Sequence, residues 1–136
     1  IKVRGCSFIS NIAVRQLCTS CPLLQVLDVS ETFVVADTVA HAVNKLASLH
    51  TLCLNGLHLS DNALECISVS TVKRLEMNNT DGYTHQGLEK LMFGKAQLQF
   101  LSINAAYVNS LVQSVWVRIR PGVKFVSQLE IYDVCA

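Results

Sequence analysis

The stretch Cys21–Thr32, CPLLQVLDVSET, contains a short pattern of aliphatic residues that returns along the chain. Within it, Leu24, Leu27 and Val29 are separated by three and then two positions. The same spacing occurs at Leu49, Leu52 and Leu54, at Val72, Leu75 and Met77, and at Leu98, Leu101 and Ile103. The first positions follow one another in steps of 25, 23 and 26 residues. This period is typical of repeat proteins with units of about 20–29 residues.

A second pattern follows each aliphatic group and indicates where helices begin. It reads Ile9-Ser10-Asn11, Val35-Ala36-Asp37, Leu59-Ser60-Asp61, Tyr83-Thr84-His85 and Val108-Asn109-Ser110. In four of these copies the middle residue is Ser, Thr or Asn, whose side-chain oxygen can accept a hydrogen bond from an amide in the first helical turn. Ala36 is the exception, and Asp37 is predicted to cap that helix instead. Each repeat is therefore predicted to contain a strand, a turn and a helix.

The predicted fold is α/β, because one strand and one helix cannot bury their apolar faces alone and the copies must stack. Strands are expected near residues 1–4, 24–30, 49–55, 72–78 and 98–104, with a frayed last copy near 123–132. In that copy the pattern fits either Val126, Leu129 and Ile131 or Val123 and Val126, and both registers stay open. The chain begins with Ile1 inside a repeat, so 1–136 is expected to be a single domain cut from a longer chain.

The residues that carry these patterns resemble the cysteine-containing, F-box- and RNI-like subclass of leucine-rich repeats. The consensus of that subclass is C-P-x-L-x-x-L-x-L-x-x-C followed by the helix start I-T-D-x-G-L. Cys21–Val29 matches its first half and Val3–Asn11 its second, while Leu59–Leu64 and Tyr83–Leu88 are further helix starts. The closing Cys is kept at Cys6, and other residues replace it in the later copies: Thr32, Leu57, Thr80 and Ala106. The resemblance implies a leucine-rich-repeat solenoid of about five repeats, with a curved parallel sheet on the concave side and helices on the convex side.

The resemblance also implies a function in binding other proteins. Proteins with such repeats include the substrate receptors of ubiquitin ligases and scaffold subunits of large assemblies. The expected function is therefore a non-catalytic protein-protein interaction module, a scaffold or a substrate-recognition domain such as that of a ubiquitin-ligase receptor. The alternative is a structural subunit of a large assembly that docks through its helical face or its ends.

A candidate binding surface follows from strand geometry, since successive side chains of a strand point to opposite faces. If Leu27 and Val29 face the core, then Asp28 and Ser30 face outwards. Applied to every repeat, this predicts a concave, partner-binding face formed by Lys2, Arg4, Asp28, Ser30, Asn55, Arg74, Glu76, Asn78, Phe100, Ser102 and Asn104. Arg and aromatic residues are the usual anchors of interfaces. The alternative is a merely solvated sheet face, which short polar residues would equally tolerate.

Other kinds of function are not indicated. Cys18 and Cys21 form a CxxC pair without a second pair at zinc-like spacing, and they fall at the wrong end of a helix for an activated thiolate. Packing is the favoured interpretation of this pair, and no enzyme activity, metal, cofactor or small-molecule substrate is expected. The net charge of +1 with scattered Lys and Arg argues against nucleic acid. The apolar runs are too short for a membrane span. Unpaired thiols in apolar surroundings favour an intracellular, cytoplasmic protein.

Overall fold

The computed structural model describes residue 5 and residues 9–93, 98–103 and 124–127. In these residues helices and strands alternate along the chain: α1 (Asn11–Ser20), β1 (Val26–Asp28), α2 (Ala36–Val43), β2 (Thr51–Cys53), α3 (Asp61–Ser68), β3 (Arg74–Met77), α4 (His85–Phe93), β4 (Phe100–Ile103) and β5 (Lys124–Ser127). None of the helices in this part of the chain has the length and apolar character needed to cross a membrane.

The strands form one parallel sheet in which they lie in chain order, from β1 to β5. The register aligns Leu27 with Leu52, Leu52 with Leu75, and Leu75 with Leu101. The central leucine of each repeat thus lies beside that of the next repeat. The predicted α/β class with a parallel sheet is confirmed, because β2, β3 and β4 each return to the sheet beside the preceding strand after one helix.

The last strand pairs in a register that neither sequence alternative contained. β5 aligns Phe125 with Leu101, whereas the two alternatives placed Val126 or Leu129 in this row. The other strands lie inside their predicted ranges but are only three or four residues long. The strand predicted near residues 1–4 lies outside the described residues.

The hydrophobic core lies between the sheet and the layer of helices. Leu27, Leu52, Leu75 and Leu101 are completely buried on the sheet side. The helices contribute buried aliphatic residues from each repeat: Val14, Val39, Leu64 and Leu88. Burying one such side chain stabilises a protein by about 1.5–3 kcal/mol, so the aligned leucines are a main source of stability.

The predicted helix caps are present at three described helices. Side-chain oxygens of Ser10, Ser60 and Thr84 accept hydrogen bonds from backbone amides three residues later, at 3.1, 3.1 and 3.2 Å. The prediction that Asp37 caps α2 is wrong. That helix already begins at Ala36 after Val35, which makes no side-chain cap bond, so Asp37 lies inside the first turn.

A residue with left-handed backbone conformation follows the end of each of the strands β1, β2 and β3. Glu31, Gly56 and Asn79 occupy equivalent positions in successive repeats, with φ of 58°, 78° and 54°. The amides of Glu31 and Gly56 donate to the carbonyls of Asn55 and Asn78 of the following repeat, both at 2.8 Å. These turns follow closely after β1 and β2, each of which is only three residues long.

Candidate functional site

The face of the sheet turned away from the helices carries the accessible part of the predicted binding surface. We call it the open sheet face. Its first row across the strands contains Val26, Thr51, Arg74 and Phe100, and Lys124 takes the next position beside Phe100. Arg74 is exposed and Val26, Thr51 and Phe100 are half-buried. This row is therefore within reach of another molecule.

Arg74 is held in place by two neighbours on the open sheet face. Its guanidinium lies over the ring of Phe100, with its central carbon 3.9 Å from the ring centroid. Its Nε is 3.6 Å from Oε2 of Glu76, and 44% of the Arg74 side chain remains exposed. A cation over an aromatic ring at an exposed site is stabilised by about 0.5–1 kcal/mol. The guanidinium is thus oriented without being withdrawn from solvent.

Cys53 lies next to this group and acts as a neutral hydrogen-bond donor. Its Sγ donates to Oε2 of Glu76 at 3.4 Å. Burial raises the pKa of the Cys53 thiol far above its ordinary value, and the carboxylates of Glu76 and Asp28 raise that pKa further. A protonated, buried thiol is a poor nucleophile. The contact therefore orients Glu76 and supplies no reactive thiolate.

A second row of polar residues is hidden beneath the surface. Ser30 Oγ accepts from the amide of Asn55 at 3.0 Å, and Asn55 Oδ1 accepts from the amide and the Nδ2 of Asn78 at 2.8 and 3.0 Å. Asn78 Nδ2 donates to Ser102 Oγ at 3.0 Å, and Ser102 Oγ lies 3.2 Å from Asn78 Oδ1. We call Ser30, Asn55, Asn78 and Ser102 the buried polar ladder. It links four neighbouring repeats through neutral side chains.

The structure corrects the predicted surface at five positions. Asp28, Ser30, Asn55, Asn78 and Ser102 were predicted to face a partner, but each is at most 8% exposed. The prediction extended strand alternation beyond the ends of the strands. Ser30, Asn55 and Asn78 come after β1, β2 and β3, where the chain turns and directs their side chains inwards. Asp28 instead accepts a hydrogen bond from the amide of Ser30 at 3.0 Å.

The candidate site therefore consists of three of the predicted residues. Arg74, Glu76 and Phe100 lie on the open sheet face, where Arg74 contacts both of the others. The remaining predicted residues, Lys2, Arg4 and Asn104, lie outside the described residues.

The CxxC cysteines occupy the end of α1. Cys18 is buried in the last turn, and Cys21 is the residue that ends the helix. Both are free thiols. Burial raises the pKa of Cys18, and the neighbouring Cys21 raises it further. Among the described residues, no three His, Cys, Asp or Glu side chains come together in an arrangement that could hold a metal ion.

A column of polar residues at the helix starts was missed from the sequence. Asn11 Oδ1 accepts from the amide of Val35 at 2.8 Å, and Asp37 Oδ1 accepts from Ser60 Oγ at 2.7 Å. The two oxygens of Asp61 accept from the amide and the hydroxyl of Thr84 at 2.7 and 2.6 Å. We call Asn11, Asp37 and Asp61 the helix-start column. The signal was the repeat itself, because these residues hold the same position in successive copies.

The hydrogen bonds of Thr84 hold the pKa of the Asp61 carboxyl below its ordinary value. Gly87 lies directly beneath this carboxylate, and a Cβ added there would be 2.6 Å from Asp61 Cγ. A larger residue at this point of α4 would collide with the Asp61 side chain, which explains the glycine. Asp61 thus joins α3 to the start of α4.

Two exposed side chains, His58 and Asp81, join the turns of successive repeats. His58 Nδ1 lies 2.7 Å from Asp81 Oδ1, and both side chains are largely exposed. The two residues are 23 positions apart, which is the step between their repeats. His58 and Asp81 hold equivalent positions in successive repeats, so the period of the sequence was the signal for this pair.

Comparison with known proteins assigns no family to the chain. No protein-family model matches it, and no curated protein matches it. The function is therefore argued from Arg74, Glu76 and Phe100 and the contacts among them.

Proposed function

We propose that the chain is a leucine-rich-repeat solenoid whose open sheet face binds a protein partner without catalysing a reaction. The solenoid is supported by parallel strands that follow one another across the sheet in chain order. It is supported further by the alignment of Leu27, Leu52, Leu75 and Leu101, which repeats the period of the sequence. Stacked repeats of this kind commonly use one extended surface to bind proteins.

The observation that carries the proposal is the accessible guanidinium of Arg74, stacked 3.9 Å above Phe100. Arg and aromatic side chains are enriched among the residues that contribute most to protein–protein binding. A side chain already ordered by its neighbours loses less conformational entropy when a partner docks. Arg74 is ordered by Phe100 and Glu76 before any partner arrives, so it is suited to be an anchor of the interface.

The buried polar ladder favours a rigid binding surface behind this anchor. Asn78 and Ser102 connect β3 to β4 directly below the strands that carry Arg74 and Phe100. A fully bonded, buried polar network restrains the elements that it joins. The distance between Arg74 and Phe100 is therefore set by the fold as well as by their own contact.

The resemblance to receptor-type repeats implies a narrower form of this function, that of a ubiquitin-ligase substrate receptor. A receptor is expected to co-purify with the adaptor subunits of a ligase. A structural subunit would instead co-purify in fixed stoichiometry with a large assembly. Quantitative mass spectrometry of the purified complex separates the two.

The test of the binding surface is a pair of substitutions, Arg74→Glu and Phe100→Ala. We expect each to weaken capture of the partner by about tenfold or more, because loss of an interface anchor costs about 2 kcal/mol. Cross-linking of the purified protein in cell extract, quantified by mass spectrometry against the unsubstituted protein, measures the loss. Phe100→Leu keeps most of the apolar volume and tests the ring itself.

Lys73→Glu is the matched control, since Lys73 is also exposed and precedes Arg74 by one residue. It should leave capture unchanged. Circular-dichroism melts of all variants should resemble that of the unsubstituted protein. If the same proteins are captured in equal amounts after both Arg74→Glu and Phe100→Ala, the open sheet face is not the binding surface.

A further inference from the structure

A groove of about 610 Å³ lies between α1 and α2, on the helical side of the protein. Eight residues line it: Arg15, Cys18, Thr19, Asp37, Thr38, His41, Ala42 and Lys45. Arg15, Thr19, His41 and Lys45 are exposed, so the groove opens to the surface. It is separate from the open sheet face, which lies on the other side of the core.

More cationic than anionic side chains line the groove. Arg15 and Lys45 are cations, and His41 can become one on protonation. Asp37 is the carboxylate among the lining residues, and its Oδ1 already accepts a hydrogen bond from Ser60 Oγ at 2.7 Å. The sequence of α1, NIAVRQLCTS, contains no acidic residue. The groove therefore favours a ligand with negative charge.

An apolar patch adjoins the starts of the same two helices. Ile12 is 64% exposed and Val35 is 51% exposed. The amide of Val35 donates to Asn11 Oδ1 at 2.8 Å, which brings the start of α2 close to the first turn of α1. Ile12 and Arg15 are three positions apart on α1 and so lie on one side of it. The exposed apolar side chains of Ile12 and Val35 thus lie near the starts of α1 and α2, and the cations Arg15 and Lys45 lie further along the chain.

The kind of ligand follows from this arrangement. Small-molecule sites enclose most of the surface of their ligand, whereas this groove opens to solvent along its exposed residues. Nucleic acid is disfavoured, because the chain has a net charge of only +1. The ten residues of α1 extend over roughly 15 Å, a length that a short helical peptide can follow. Amphipathic helices of partner proteins dock by laying their apolar side chains on an apolar surface, which Ile12 and Val35 supply beside this groove.

We propose that the α1–α2 groove binds an acidic, amphipathic helical segment of a partner protein. Its apolar side chains pack on Ile12 and Val35, and its carboxylates contact Arg15 and Lys45. Arg15 offers the planar fork of donors that carboxylates accept in pairs. This site is independent of the binding function proposed for the open sheet face.

The test is a titration of the purified protein with a fluorescein-labelled synthetic peptide. The peptide carries leucines at helical positions i and i+4, with glutamates at the adjoining positions, and a matched peptide carries glutamine in place of each glutamate. Fluorescence anisotropy should show that the glutamate peptide binds about tenfold more tightly than the glutamine peptide. Amide shifts in NMR spectra should move in α1 and α2 and stay constant in β3 and β4.

Variants of the groove complete the test. Arg15→Glu combined with Lys45→Glu should weaken binding of the glutamate peptide by about tenfold or more, and Ile12→Ser should weaken binding of both peptides. Lys90→Glu, which reverses one positive charge on α4, should leave binding unchanged. Arg74→Glu should also leave it unchanged, which separates this site from the open sheet face.

Several outcomes would overturn the proposal. One is that the glutamate peptide does not bind at millimolar concentration. Another is that it binds the Arg15→Glu/Lys45→Glu variant as tightly as the unsubstituted protein. Equal affinity for the two peptides excludes recognition of carboxylates. Competition by a short DNA duplex at the same concentration would show a general preference for polyanions in place of a peptide site.

Discussion

The buried polar ladder and the helix-start column perform the same task in different surroundings. In both, a side chain of one repeat binds the next. Ser30, Asn55 and Asn78 hold one repeat position in the ladder, and Asn11, Asp37 and Asp61 hold one in the column. The ladder contains neutral side chains, Ser30, Asn55, Asn78 and Ser102, and is buried. The column contains the carboxylates of Asp37 and Asp61 and stays partly exposed.

The difference between the two follows from the cost of removing charge from water. A buried charge without full compensation is expensive, whereas neutral amides and hydroxyls that satisfy one another can be buried at little cost. At the edge of the protein, water still solvates Asp37 and Asp61, and the first turn of a helix favours negative charge. The buried polar ladder therefore consists of amides and hydroxyls, whereas two of the three residues of the helix-start column are carboxylates.

The largest loss of stability is expected for Asn78→Ala, in the buried polar ladder. The Asn78 side chain contacts Asn55 Oδ1 and Ser102 Oγ inside the protein, and its loss leaves buried polar atoms unpaired. We expect the free energy of unfolding to fall by about 2–4 kcal/mol. Urea unfolding at neutral pH, followed by circular dichroism, measures this fall.

Asn62→Ala is the matched control for that measurement. Asn62 is exposed on α3, and its replacement should change the free energy of unfolding by less than about 0.5 kcal/mol. An Asn78→Ala protein as stable as the Asn62→Ala protein would show that the ladder contributes nothing beyond an exposed asparagine.

An intermediate effect is expected for Ser60→Ala. Ser60 caps α3 through the amide of Ala63, and it also donates to Asp37 in the preceding repeat. Loss of a serine cap costs about 1 kcal/mol. Ser10→Ala removes an equivalent cap bond, to the amide of Ala13. The difference between the two variants measures the bond to Asp37, and we expect it to be under about 0.5 kcal/mol because solvent competes there.

Thermal and urea unfolding of the two serine variants provide the measurement. A loss for Ser60→Ala that equals the loss for Asn78→Ala would mean that the partly exposed column stabilises the fold as much as the buried ladder does. The expected difference in stability between the helix-start column and the buried polar ladder would then be wrong.

The smallest effect is the dependence of stability on pH that arises from Asp61. Hydrogen bonds from Thr84 lower the pKa of this carboxyl in the folded protein below its ordinary value of 3.8. The ionised form is therefore favoured by folding. Its contribution to stability is present above about pH 4 and is lost as the pH falls through the lower, folded pKa.

Asp61→Asn should flatten this part of the curve of unfolding free energy against pH, while Asn78 variants should leave its slope unchanged because Asn78 does not ionise.

Thr84→Val removes the hydroxyl that donates to Asp61 and should bring the pKa of Asp61, followed by carboxyl NMR, back towards its ordinary value. A pKa that stays low in Thr84→Val would assign the shift to the backbone amide of Thr84 alone.

Much of the fold could be predicted from local patterns. The spacing of Leu24, Leu27 and Val29 predicted the strands and their alignment, since a buried row requires an aliphatic side chain at the same place in every repeat. Ser10, Ser60 and Thr84 marked the helix starts, because a cap acts on amides only three residues away. Such signals need no knowledge of distant contacts.

The candidate site was harder to predict because it depends on where the strands end. Ser30, Asn55 and Asn78 continue the alternating pattern in the sequence, yet they come after the strands have ended, where the chain turns, and their side chains are buried. Glu31 shows why this escaped notice, since a left-handed conformation is uncommon for residues other than glycine and asparagine. The contact between Arg74 and Phe100 also required the exact pairing of β3 with β4.

The order of amino acids alone establishes the period, the succession of strand and helix, and which aliphatic residues are buried, because these depend on contacts between equivalent positions of neighbouring repeats. The three-dimensional arrangement establishes which polar residues reach water. Asn78 and Arg74 lie four positions apart in one repeat and look equally suited to a surface, but one completes a network inside the protein and the other lies over Phe100 at its surface. That distinction arises from the packing of adjacent repeats, where burial of a polar group depends on partners supplied by another part of the chain.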